Sequence, residues 1–143
     1  MTSVPRVVAA YLDHLEAEVG ASVHTVAAYR RDLARYASWL DEQGVRAIDE
    51  VDAAQVAAFA AWLRAGDASR PGLAASSVAR GVAAVRSLHR FAVRDGDAPD
   101  DPSAEVVAPR RAKRLPKALS LDQVQALLNV PDTETPCGLR DAA

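Results

Sequence analysis

Four of the seven glycines, Gly20, Gly44, Gly66 and Gly96, each stand just after a stretch whose apolar residues recur at three- and four-residue spacing. Glycine is favoured there because helices commonly end on a left-handed residue, a conformation that costs it little. The chain therefore reads as four helices with marked ends. Val7, Val8, Tyr11, Leu12, Leu15 and Val19 predict the first, over Ser3–Val19, with Pro5 tolerated in its opening turn. The second is predicted over Ser22–Gly44, with Ser22 as its N-cap. Asp52 and Gln55 make a capping-box pair at the start of the third, which carries Val56, Phe59, Ala60 and Leu63. The fourth is predicted from Ser76 or Ser77 to Asp95. Between the last two, GDASRPGLA is a loop by composition, and no segment of useful length alternates with period two. The expected fold is an all-α four-helix bundle. Abundant alanine and scarce aromatic residues agree, since alanine is the best helix former and strands favour branched and aromatic side chains.

Beyond Gly96 the texture changes. Asp97–Pro102 is acidic, and the strip from Pro109 to Lys117 is basic and holds a second proline, Pro116. Proline fixes its own backbone and keeps its predecessor extended, so the strip reads as a linker. Ser120 and Gln123 form another capping box, opening a short helix through Val124, Leu127 and Leu128. Residues 138–143 resemble the first turn of a further helix. The expected organisation is a helical domain at 1–108, a basic linker at 109–119, and at 120–143 the beginning of a second helical domain that is cut short.

A net charge of −2 argues against a nucleic-acid binder, but its distribution does not. Residues 76–117 hold nine basic and five acidic side chains, while the flanking segments are both net acidic. Fifteen of the seventeen basic residues are arginine, the better planar donor to phosphate and guanine. At about 100° per residue, Val26, Tyr29, Leu33, Tyr36, Ala37 and Leu40 share one stripe of the second helix. His24, Ala28, Arg31, Arg35 and Ser38 lie on the opposite side. Such a helix can lie along a phosphate backbone, and it can equally be solvated.

The fourth helix is sharper. Val78, Val82, Val85, Leu88, His89 and Ala92 form its apolar side, and Arg80, Arg86, Arg90 and Arg94 share another arc with no acid in it. On an ordinary solvated helix, acids spaced three or four residues away would relieve the repulsion. Phosphates would supply that counter-charge instead. The competing reading is a plain basic surface, or arginines bridging to acids of the first helix. Arg110, Arg111, Lys113, Arg114 and Lys117 of the linker add positive charge without an acid among them.

Other chemistries find little support. Cys137 is the sole cysteine, so there is no intrachain disulfide and no cysteine metal site. His14 reads as a surface residue, His24 as polar-face and His89 as packed in the core, which is no metal constellation. Trp39 and Trp62 read as packing anchors. No glycine-rich phosphate loop, spaced catalytic carboxylates or nucleophile with an adjacent base stands out. The N-terminus lacks a signal-peptide pattern, and the longest apolar run, Val56–Leu63, is too short to cross a bilayer. A cytoplasmic compartment is expected.

His24–Leu33 (HTVAAYRRDL), Ala75–Leu88, Asp100–Ala104 (DDPSA) and Arg114–Ser120 (RLPKALS), taken in order and spacing, resemble the bacterial Xer-type tyrosine recombinases, nearer the XerD branch than the XerC branch. The resemblance implies a SAM-like core-binding domain that forms one jaw of a clamp around duplex DNA, with its second and fourth helices toward the major groove. It implies Thr25, Arg31, Arg35, Ser76, Ser77, Arg80, Arg86, Arg90 and Arg94 as DNA-facing residues, and the linker cations as followers of the backbone. It also implies a parent enzyme that cuts and rejoins DNA through a 3′-phosphotyrosyl intermediate, without metal or nucleotide cofactor, in chromosome dimer resolution. The implied partners are duplex DNA, paralogous recombinase subunits in a synaptic tetramer and a septal DNA translocase, and the implied location is the nucleoid. The catalytic set is expected to lie outside this chain: Gly138–Arg140 looks like an earlier helix start and not the family's first catalytic arginine. The rivals are the N-terminal domain of a phage- or transposon-type integrase and a helical protein-interaction module.

Overall fold

The computed structural model describes residues 1–17, 19–67, 70–106, 119–130, 134, 135 and 140. Among the described residues, five helices follow one another: α1 (Val4–Ala17), α2 (Val23–Glu42), α3 (Ala53–Ala65), α4 (Ala75–Asp95) and α5 (Leu121–Leu128). By contacts the chain divides into two units, Met1–Arg111 and Ala112–Ala143.

In the first unit α4 packs against α1, α2 and α3, and α1 packs against α2. The predicted stripes meet in one core: Leu33, Tyr36, Leu40, Val78, Val82, Val85 and Leu88 are all buried. Tyr29 and Ala37 lie partly buried at its margin. Trp39 is buried and Trp62 partly so, each stacked or tilted against Phe59, as expected of packing anchors. Val19 departs from expectation: α1 ends at Ala17 and Val19 is 57% exposed.

The helix ends follow local chemistry. Ser22 Oγ accepts from the Thr25 amide at 3.2 Å, and Asp52 and Gln55 cap each other at 2.7 and 2.8 Å. α4 is the exception. Its N-cap is Ala74, without a side-chain hydrogen bond, so Ser76 and Ser77 sit inside the first turn and not at its edge. Gly96 ends α4 in the left-handed conformation.

Two short elements were not expected. A 3-10 turn at Ile48–Glu50 leads into α3. The loop read from GDASRPGLA contains a small antiparallel hairpin, β1 (Gly66–Asp67) with β2 (Arg70–Pro71). Gly66 has φ +72°, and a Cβ there would collide with the Arg70 carbonyl oxygen, so the hairpin needs glycine at that point.

At the start of the chain, Ser3 forms an antiparallel bridge with Ala47. The Val4 amide donates to the Arg46 carbonyl at 2.9 Å and the Ile48 amide to the Thr2 carbonyl at 3.0 Å. The Thr2 hydroxyl donates to Asp97 at 2.6 Å.

In the second unit, Ser120 and Gln123 form the expected capping box on α5. Its Leu121, Leu127 and Leu128 are exposed. The expected basic strip, with Arg110, Arg111, Lys113, Arg114 and Lys117, lies outside the described residues, as do Cys137 and Gly138.

Candidate nucleic-acid interface

The arginines expected to share one uncompensated arc of α4 are held in different ways. Arg80 reaches α2: its Nε donates to one carboxylate oxygen of Asp32 at 2.8 Å, and its Nη2 to the other at 3.4 Å. Asp32 is 3% exposed, and Arg35 approaches it from its own helix at 3.5 Å. The hydrogen bond to Asp32, reinforced by its charge, binds the proton of Arg80 more firmly than usual. The expectation that no acid relieves this arc is therefore corrected. The acid that meets Arg80 comes from α2.

Arg90 donates from Nη2 to Ser87 Oγ at 3.3 Å, on the side where α4 meets α1. Burial raises the pKa of Tyr11 above the ordinary phenol value, against a smaller opposing influence from Ser87. Arg94 extends from the next turn. Its Nη2 lies 3.2 Å from His14 Nε2, and its guanidinium sits 5.3 Å from the centre of the Phe91 ring. His14 is thus half-buried against Phe91, with ring centres 5.3 Å apart, and is not the plain surface residue expected. A cleft of about 240 Å³ runs between these groups, lined by Tyr11, His14, Ser87, Arg90 and Arg94 among others.

The remaining candidates are simpler. Arg31 is exposed on α2, and Arg86 is half-buried on α4. The Thr25 hydroxyl lies 2.9 Å from that of Ser22 at the exposed start of α2. Ser76 is exposed and Ser77 half-buried in the first turn of α4. The structure thus gathers Arg35 and Arg80 on one carboxylate and places Arg90 and Arg94 beside α1.

Two residues of the α2–α4 seam matter more than the sequence suggested. Asp32 was not singled out, although it sits beside the apolar stripe and three residues before Arg35, the spacing of a helical ion pair. His89 is a core residue as expected, with Nε2 2.9 Å from the Tyr36 hydroxyl. Burial lowers its pKa to about 4, against a smaller opposing influence from Asp101. Its Nδ1 is buried without a hydrogen-bond partner among the described residues. Among those residues, no group of three or more His, Cys, Asp or Glu side chains could hold a metal ion, and no helix is long and apolar enough to cross a membrane.

Comparison with known proteins agrees with the fold. Residues 8–96 match the family described as phage integrase, N-terminal SAM-like domain. Tyrosine recombinase XerD of Mycobacterium tuberculosis is 43% identical over 120 residues, covering 82% of this chain and 39% of the relative. Tyrosine recombinase XerD of Corynebacterium glutamicum is 38% identical over 136 residues, covering 93% of this chain and 45% of the relative. The chain therefore spans less than half the length of these curated relatives. Among solved structures, the N-terminal domain of a phage integrase/site-specific recombinase from Haloarcula marismortui superposes with a TM-score of 0.66. That match covers 75% of this chain and 96% of the other at 16% identity, a likeness of fold.

Proposed function

The chain belongs to the phage integrase N-terminal SAM-like domain family, and we propose that it is the DNA-gripping, core-binding part of a Xer-type tyrosine recombinase. The observation that carries this reading is the charge balance around α4. Of Arg35, Arg80, Arg86, Arg90 and Arg94, only Arg35 and Arg80 meet a carboxylate among the ion pairs of the described residues, and both share Asp32. Cations left in surplus on packed helices suit a polyanion, whose phosphates neutralise them and release counterions. In this proposal Arg31, Thr25, Ser76 and Ser77 extend the contact surface, and the cations from Arg110 to Lys117 follow the duplex backbone.

Cutting and rejoining are assigned elsewhere in the parent enzyme. The three tyrosines, Tyr11, Tyr29 and Tyr36, are all employed in ring packing within the bundle. Burial also raises the pKa of Tyr11 and Tyr36, opposite to what a tyrosine nucleophile needs. The parent would resolve chromosome dimers on the nucleoid, with paralogous subunits in a synaptic tetramer and a septal DNA translocase as partners.

The test is a fluorescence titration against a duplex enriched from a random-sequence pool by this chain, and against a scrambled duplex of equal composition, over a salt series. Preference for the enriched duplex is expected, with log K falling linearly as log salt rises. Arg90→Ala and Arg94→Ala are each expected to reduce that slope by about one unit. Absence of binding to either duplex at low salt would turn the assignment toward a protein-interaction module.

A further inference from the structure

Asp32 engages Arg80 through one edge only. Nε and Nη2 of the guanidinium face the buried carboxylate, at 2.8 and 3.4 Å, while Nη1 takes no part in the contact. The Arg80 side chain remains 44% exposed, against 3% for Asp32. A planar cation is thus held on its inner edge and leaves donors on its outer edge for another group. Arginine that is free in solvent loses rotamer freedom when it binds, whereas one already held loses less. Arg35, at 3.5 Å from the same carboxylate and 29% exposed, fixes the second side of the arrangement.

We propose that Asp32 is a positioning residue for duplex recognition, orienting the outer edge of Arg80 at the α2–α4 seam so that it reads one place on the DNA. The proposal rests on the DNA-binding reading given above. It has an electrostatic signature. One buried negative charge between two arginines reduces the indiscriminate attraction of the seam for phosphates while it orients the cation that discriminates. Loss of the charge therefore acts in opposite directions on general affinity and on preference.

The experiment titrates the whole 143-residue chain, Asp32→Asn and Arg80→Lys with the enriched and scrambled duplexes over the same salt series, with melting temperatures measured in parallel. Asp32→Asn is expected to bind the scrambled duplex more tightly at low salt, with a slope steeper by about one unit. Its preference for the enriched duplex is expected to fall by at least about fivefold. Arg80→Lys retains a charge for Asp32 but lacks the planar fork, and is expected to lose preference by a similar factor. A carboxylate that only braced the bundle would weaken both duplexes alike, in step with the melting temperature. That result, or unchanged preference in Asp32→Asn, would overturn the proposal. Where Asp32→Asn does not fold, Arg80→Lys decides, and unchanged preference overturns it. If the unaltered chain binds neither duplex, the DNA-binding reading fails first and the proposal falls with it.

Discussion

The seam between α2 and α4 is crossed by two polar links of opposite design. Tyr36 and His89 are each 0% exposed and meet through one hydrogen bond of 2.9 Å. Both are neutral at pH 7, because burial raises the phenol pKa and lowers the imidazole pKa. The Asp32–Arg80 link is charged, and water reaches the arginine but scarcely the carboxylate. Deep in the core, a neutral pair avoids the cost of desolvating ions, and the aromatic bodies still fill space. At the rim, a carboxylate can be buried because two partly solvated guanidiniums compensate it. The inner link therefore serves packing, and the outer one shapes a surface.

The difference can be tested by breaking each link. Tyr36→Ala should have the largest effect, about 4 kcal/mol by denaturant unfolding, since it empties a fully buried site whose ring lies 4.8 Å from that of Phe59. Acidification should follow. The folded-state pKa of His89 is about 4, below its ordinary 6.5, so the unfolded chain binds more protons between those values. This contribution to stability is fully present above about pH 6.5 and declines as pH falls toward 4, by about 3 kcal/mol in all. His89→Leu should flatten that part of a stability–pH curve.

Asp32→Ala should cost about 2 kcal/mol, less than loss of one partner from a fully buried pair, because Arg80 and Arg35 can both turn to water. A thermal or denaturant melt measures it, and a loss as large as that of Tyr36→Ala would erase the proposed distinction between the links. The smallest effect is expected from Tyr36→Phe, about 1 kcal/mol, which keeps the ring and deprives His89 of its hydrogen bond. If Tyr36→Phe proved as harmful as Tyr36→Ala, the hydrogen bond and not the packing would be the main contribution of the inner link.

These two links also mark where sequence reading succeeded and where it stopped. Tyr36 and His89 fall on apolar stripes, so periodicity places both in the core. The ends of α2, α3 and α5 were legible because Ser22, Asp52 with Gln55, and Ser120 with Gln123 act on amides only three residues away. Asp32 was missed because its partner Arg80 lies 48 residues along the chain, and no local pattern records a neighbour that packing supplies. For the same reason the four arginines of α4 looked alike, although one turns to α2 and another to His14 of α1. The start of α4 misled because serine is a favoured cap, yet this helix begins after Ala74 without one. The 3-10 turn at Ile48–Glu50 and the two-residue strands are too short to leave a periodic trace.

The bridge between Ser3 and Ala47 also bears on how this molecule opens. The Val4 and Ile48 amides each donate to a carbonyl on the opposite segment, so separating the two segments frees both. In hydrogen exchange, the two should behave as one cooperative opening unit and exchange more slowly than amides near a chain end ordinarily do. The first residues of the chain thus act as a latch on the turn between α2 and α3, and Thr2, bonded to Asp97, extends that latch to the segment following α4.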